Sequence, residues 1–150
     1  MASVQNVIDK IYTFLPKKYH KDIQMCSSYT GMLKVLIKDG WAKTLQEAKD
    51  YFKEDYEIST EIEQEFNNLA HSNNQSGCTL GLTYEHSRHK NRPILLNKVL
   101  SKESERRIAL TILHEIGHIS LKGDVYHSEK YADKFAVKWV KRLIENNIIK

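Results

Sequence analysis

Arg107-Ile108-Ala109-Leu110-Thr111-Ile112-Leu113-His114-Glu115-Ile116-Gly117-His118-Ile119 carries two signals at once. Ile108, Ile112, Leu113, Ile116 and Ile119 recur at the intervals of a helix that buries one face. Within that pattern, residues 114–118 read His-Glu-Ile-Gly-His, an HExxH motif. Histidines four apart lie one above the other on a helix, so both imidazoles can reach one metal ion. Glu115 is rotated off that line yet stays near the metal. A carboxylate there can take a proton from activated water without filling a coordination position. The helix is expected to start from Ser101 as N-cap, with Glu103 and Glu105 in the first turn, where the helix dipole favours acids. Lys122-Gly123-Asp124 should end it.

A catalytic zinc has three protein ligands and one open position, so a third ligand must come from elsewhere. Glu129 is the candidate, eleven residues after His118 on the next predicted helix, which starts near Ser128. Glu129 and Asp133 are four apart and share a face. Ala132 and Ala136 lie on nearly the same face, and small side chains there allow the close helix approach that a carboxylate–metal bond of about 2 Å demands. Asp133 is placed to support a ligand histidine, because a metal-bound imidazole usually donates its other N–H to an acceptor.

Before the motif, Thr79–Glu85 and Ile94–Asn97 read as strands, with the polar stretch His86–Arg92 between them. They predict an antiparallel hairpin. The N-terminal third is helical in pattern: Val4, Val7, Ile8, Ile11 and Leu15 precede Pro16, and Met32 to Ile37 stops at Asp39-Gly40. Thr44 and Glu47 make a capping box for a third helix. A fourth is expected from Ser59 or Thr60, ending in the polar run 71–77. The fold class expected is α+β, mostly helical, with a small antiparallel β-hairpin packed beside the HExxH helix. Residues 1–58 read as a helical N-terminal extension and 59–150 as a zincin-like catalytic core, the two forming one compact unit.

The chain has 150 residues, 41% of them hydrophobic, and a net charge of +4. That is enough apolar material for a core without disulfides. Cys26 and Cys78 lack metal-ligand spacing and read as reduced thiols. No apolar run is long enough to span a membrane, and no secretory signal is evident, so a cytoplasmic location is expected. The charge is mild and spread along the chain, so nucleic acid is not an expected partner. Residues Lys34 to Phe52 have two helical runs around Gly40, but no DNA-recognition face stands out.

The motif helix, followed by Glu129-Lys130-Tyr131-Ala132-Asp133-Lys134-Phe135-Ala136, resembles the gluzincin pattern. It is more closely similar to the ImmA/IrrE family of metallopeptidases of phages and mobile elements, whose pattern is HExxH followed by ExxA(D/N)xFA. Ile94-Leu95-Leu96-Asn97 also looks like that family's strand before the helix. The resemblance covers the chain from about Thr79 onward. It implies a zinc-dependent endopeptidase with zinc on His114, His118 and Glu129, with Glu115 as base and Asp133 orienting a ligand histidine. It also implies a protein substrate such as a mobile-element repressor. Two departures are Leu121-Lys122-Gly123, where family members often have Leu-His, and Val137-Lys138-Trp139-Val140 in place of a Leu-Leu-Met-Pro type segment.

Tyr84, Tyr126, His127 and Tyr131 are candidates to stabilise a tetrahedral oxyanion. His86 and His89 fall in the expected turn, and His20 and His71 have no evident partner. The strand 79–85 could lie at a sheet edge beside the site and take a peptide by strand addition. Two other readings stand beside hydrolysis: a zinc-containing regulator that binds a protein and cleaves nothing, and a DNA-binding regulator with a structural metal. An intact Glu115 and the absence of a fourth ligand argue against both, because structural zinc sites are usually closed by four protein ligands.

Overall fold

Four consecutive apolar or small-polar residues, Ile94-Leu95-Leu96-Asn97, make a strand buried on both faces, and the rest of the molecule is organised around it. The computed structural model describes residues 3–40, 42–51, 64–65, 68–69, 81–82, 93–120 and 129–150, with backbone alone at 51, 82 and 129. Its elements are α1 (Val4–Phe14), β1 (Ile23–Cys26), α2 (Tyr29–Lys38), α3 (Leu45–Tyr51), β2 (Gly81–Leu82), β3 (Ile94–Asn97), α4 (Glu105–Ser120) and α5 (Glu129–Glu145). Residues 64–65 and 68–69 are also helical.

The sheet has the order β1-β3-β2. β1 runs parallel to β3, with Ile23 opposite Ile94 and Cys26 opposite Asn97. β2 pairs antiparallel with β3, with Gly81 opposite Leu96. The α+β class and the mostly helical content stand. The expectation of an antiparallel hairpin as the sheet is corrected: its longer pairing is parallel and recruits a strand from the N-terminal region. Ile23-Gln24-Met25-Cys26 is short, lacks strict alternation and finds its partner some seventy residues away, so no local signal announces it. The remainder of the expected strand 79–85, and the turn 86–92, lie outside the described residues.

Alternation along β3 sends its side chains to two different cores. Ile94 and Leu96 join Val7, Ile11, Ile108, Ile112 and Val140 in the main core beneath α1, α4 and α5. Leu95 faces the other way, against Cys26, Met32 and Leu36 under α2. Helices therefore cover both faces of the sheet. From the N-terminal region, α1 contributes to the main core and β1 to the sheet. The expected boundary near residue 58 lies outside the described residues.

Local chemistry sets the helix ends. Ser3 Oγ caps α1 and Ser28 Oγ caps α2. Gly40, at φ 81°, supplies the left-handed residue that lets the chain turn after α2. Thr44 and Glu47 form the expected cap of α3: Glu47 N donates to Thr44 Oγ1 at 3.1 Å, and the Glu47 carboxylate accepts from Lys43 N at 3.2 Å. The expected N-cap at Ser101 is corrected. Residues 98–102 form a 3-10 turn started by Asn97, whose Oδ1 accepts from Val99 N, and Leu100 is buried there. The α-helical start moves on to Ser104, whose Oγ accepts from Arg107 N at 3.2 Å. No helix among the described residues is long and apolar enough to cross a membrane.

Candidate metal centre

The motif falls in the second half of α4, and α4 packs along α5 in the main core. How near the two helices come is set by Gly117. A Cβ built there would lie 3.0 Å from Phe135 Cβ, 3.1 Å from Ala132 Cα and 3.2 Å from the Ala132 carbonyl oxygen. The backbone of α5 thus lies where any side chain at 117 would be. Ala132 and Ala136, both buried, complete the close seam that their small size predicts.

That approach brings Asp133 to His114. Asp133 Oδ1 is 2.8 Å from His114 Nδ1, both side chains being largely shielded from solvent. An ionised carboxylate can only accept, so the hydrogen of the neutral imidazole sits on Nδ1 and its Nε2 presents a lone pair. His114 Nε2 faces His118 Nε2 at 3.1 Å. Two ligand nitrogens on a tetrahedral zinc, each about 2.05 Å from it, are about 3.3 Å apart, so these rings already stand at nearly the separation that one ion requires. Without an ion, the same geometry is a hydrogen bond in which His118 Nε2–H donates to His114. Metal binding would therefore move the His118 proton to its other nitrogen or release it.

Glu115 is buried, 6% exposed, and its carboxylate lies within 4.8 Å of the ligand nitrogens of both histidines. Its Cγ lies under β2: a Cβ at Gly81 would meet Glu115 Cγ at 3.0 Å and Thr111 Cγ2 at 3.2 Å. β2 is the outer strand of the sheet among the described residues. A sheet edge thus passes directly over the carboxylate, and the missing side chain at Gly81 is what permits it.

No family model, curated protein or solved structure matches the chain. Two imidazoles with converging nitrogens, one of them oriented by a carboxylate, and a buried glutamate beside them make a group that could hold a metal ion. Neutral imidazole suits zinc and several other divalent metals.

Of the residues named from sequence, His114, Glu115, His118 and Asp133 are brought together. Glu129 is the first residue of α5, and its side chain lies outside the described residues, as do Tyr84, Tyr126, His127, His71, His86 and His89. Tyr131 is two residues from Asp133 on α5, hence on the opposite face, and is 42% exposed beneath Lys134. His20 stacks on Tyr12 at 4.5 Å and bonds the Leu15 carbonyl, away from the motif. Gly81, Gly117 and Arg107 were missed as parts of the site. The signal for Gly117 was available: a glycine inside a helical pattern costs about 1 kcal/mol against alanine and so implies a packing reason. Arg107 is largely buried, and burial lowers its pKa from the ordinary arginine value, while the charges of Glu103 and Asp133 act in the opposite sense. A cation thus backs the carboxylate that holds His114.

Proposed function

We propose that the chain is a zinc-dependent endopeptidase of the ImmA/IrrE type that hydrolyses a peptide bond in a regulatory protein, such as a mobile-element repressor. The observation that carries this reading is the convergence of His114 and His118 Nε2 at 3.1 Å, with the buried Glu115 beside them. His114, His118 and Glu129 would hold the metal. Zinc bound there supplies Lewis acidity to a scissile carbonyl and makes water more acidic. Asp133 keeps the hydrogen of His114 on Nδ1, so that Nε2 remains a ligand. Glu115 accepts a proton from water on its carboxylate and hands it to the departing amine. A substrate peptide would pair in extended form along the edge of β2 that no described strand occupies, beside Glu115.

Metal content by elemental mass spectrometry, wild type beside His114→Ala, tests the first half of this reading. Near-stoichiometric zinc that disappears in the variant is expected, and no metal in either after zinc is added back would end it. Glu115→Gln is expected to keep zinc and fold but lose hydrolysis by at least about a hundredfold, whereas Glu129→Ala weakens metal retention. Full cleavage by Glu115→Gln would remove Glu115 as the base. Zinc without hydrolysis of any candidate regulator in the wild type would favour the non-hydrolytic regulator.

A further inference from the structure

Basic residues recur at helical spacing along α5, and folding brings others beside them. Lys130, Lys134, Lys138, Lys141 and Arg142 share a solvent-facing arc of about 120° on α5 with Tyr131. Asp133 is turned away from this arc toward His114, which leaves Glu145, near the end of the helix, as its one acid among the described residues. The segment before β1 extends the surface. Tyr19 packs edge-on against Phe135 at 5.2 Å and Trp139 at 6.0 Å, which sets the exposed Lys17 and Lys18 alongside α5.

These cations are not simply a solvated face. Lys134 Nζ lies 5.5 Å from the Tyr131 ring centre, and Lys18 Nζ lies 4.9 Å from that of Tyr19. Lys138 Nζ and Arg142 Cζ sit 5.8 and 4.8 Å from the centre of the buried Trp139 ring. Lys141 pairs with Glu65, whereas Lys134, Lys138 and Arg142 lie against aromatic rings and pair with no carboxylate among the described residues. A ring attracts a cation without neutralising its charge. It therefore orders the side chain while leaving the positive field intact, which lowers the entropy cost of binding an anion.

The arrangement selects among polyanions. A membrane surface favours apolar side chains set beside the basic ones, and Tyr131 is the one large apolar side chain exposed on this face among the described residues. Residues 130 to 142 present charge along about 18 Å of a straight helix, and duplex DNA offers a dense line of phosphates with a major groove that admits a helix. We propose that this face of α5 docks double-helical DNA through its phosphates. This proposal runs against the expectation that nucleic acid is not a partner, and the metal group plays no part in the contact.

Fluorescence anisotropy of a short labelled duplex with the full chain tests this, in the presence of a chelator so that the result does not depend on the metal group. Affinity should fall steeply between about 50 and 200 mM salt. The triple variant Lys134→Glu, Lys138→Glu and Arg142→Glu should bind at least about tenfold more weakly, with the log–log salt slope reduced by about 3. The milder triple change of the same residues to Gln should flatten the slope likewise, and it serves if the charge reversal impairs folding. Lys34→Glu, Lys38→Glu and Lys49→Glu, an equal charge change at exposed positions of α2 and α3, should leave binding nearly intact. The proposal fails if no saturable binding appears at low salt, or if the control triple loses as much as the α5 triple. Tighter binding of single strands or of phosphatidylserine vesicles than of the duplex also overturns it.

Discussion

Asp133 shows how much one carboxylate can decide. Its bond to His114 Nδ1 selects the tautomer and turns the ring so that Nε2 meets that of His118. Loss of a partner of this kind typically costs 10- to 100-fold in metal affinity. On the proposed zinc reading, Asp133→Ala is therefore expected to weaken metal binding by about that factor with little change in secondary structure. A chelator-competition titration beside circular dichroism checks both parts, and unchanged affinity would show that His114 is oriented by something else. The pairing was legible because residues four apart must share a helix face and a ligand histidine needs an acceptor. Arg107 was not legible, since its burial near Glu103 and Asp133 arises only after α5 folds back along α4.

At the scale of elements, the seam between α4 and α5 is the critical contact. Gly117→Ala places a methyl about 3 Å from Phe135 Cβ and from backbone atoms of Ala132, so the helices must separate. Overpacking of this kind costs about 1–3 kcal/mol, against less than about 1 kcal/mol returned by the better helix propensity of alanine. Net destabilisation is expected in urea or thermal unfolding and, on the proposed reading, weaker metal retention, because Asp133 moves with α5. A more stable Gly117→Ala protein would disprove the tight seam. The helices themselves were readable from their periodicity. The 3-10 turn at 98–102 displaced the expected start of α4 because burial of Leu100 outweighs the capping preference of Ser101.

Across the whole molecule, Glu105 ties three distant parts of the chain together. Its carboxylate accepts from Lys10 Nζ of α1 at 2.9 Å and from Lys150 N at 3.0 Å, while Arg106 Nε donates to the Lys150 carbonyl. Burial alone would raise its pKa, but these donors outweigh it and hold the carboxyl below its ordinary value of 4.5. A depressed carboxyl stabilises the fold above the unfolded pKa and loses that contribution as pH falls through the folded value. Glu105→Gln should accordingly cost about 0.5 kcal/mol at neutral pH, a modest figure because Lys10 is well exposed. The gap between variant and wild type should close as pH drops below about 4.5, read from paired denaturation curves. A gap independent of pH would mean that the charge is not what matters. By itself the sequence determined the features that depend on near neighbours along the chain: the helical runs, the α3 cap, the facing histidines of HExxH and the four-residue offset of Glu129 and Asp133. Tertiary structure decided what depends on distant partners. It paired Ile23–Cys26 in parallel with Ile94–Asn97, laid Gly81 over Glu115, set how closely Gly117 lets α5 approach, and brought Lys17 and Lys18 beside the basic face of α5. Periodicity and capping act within a few residues, whereas pairing, close approach and summed charge exist only once segments far apart in sequence share the same space.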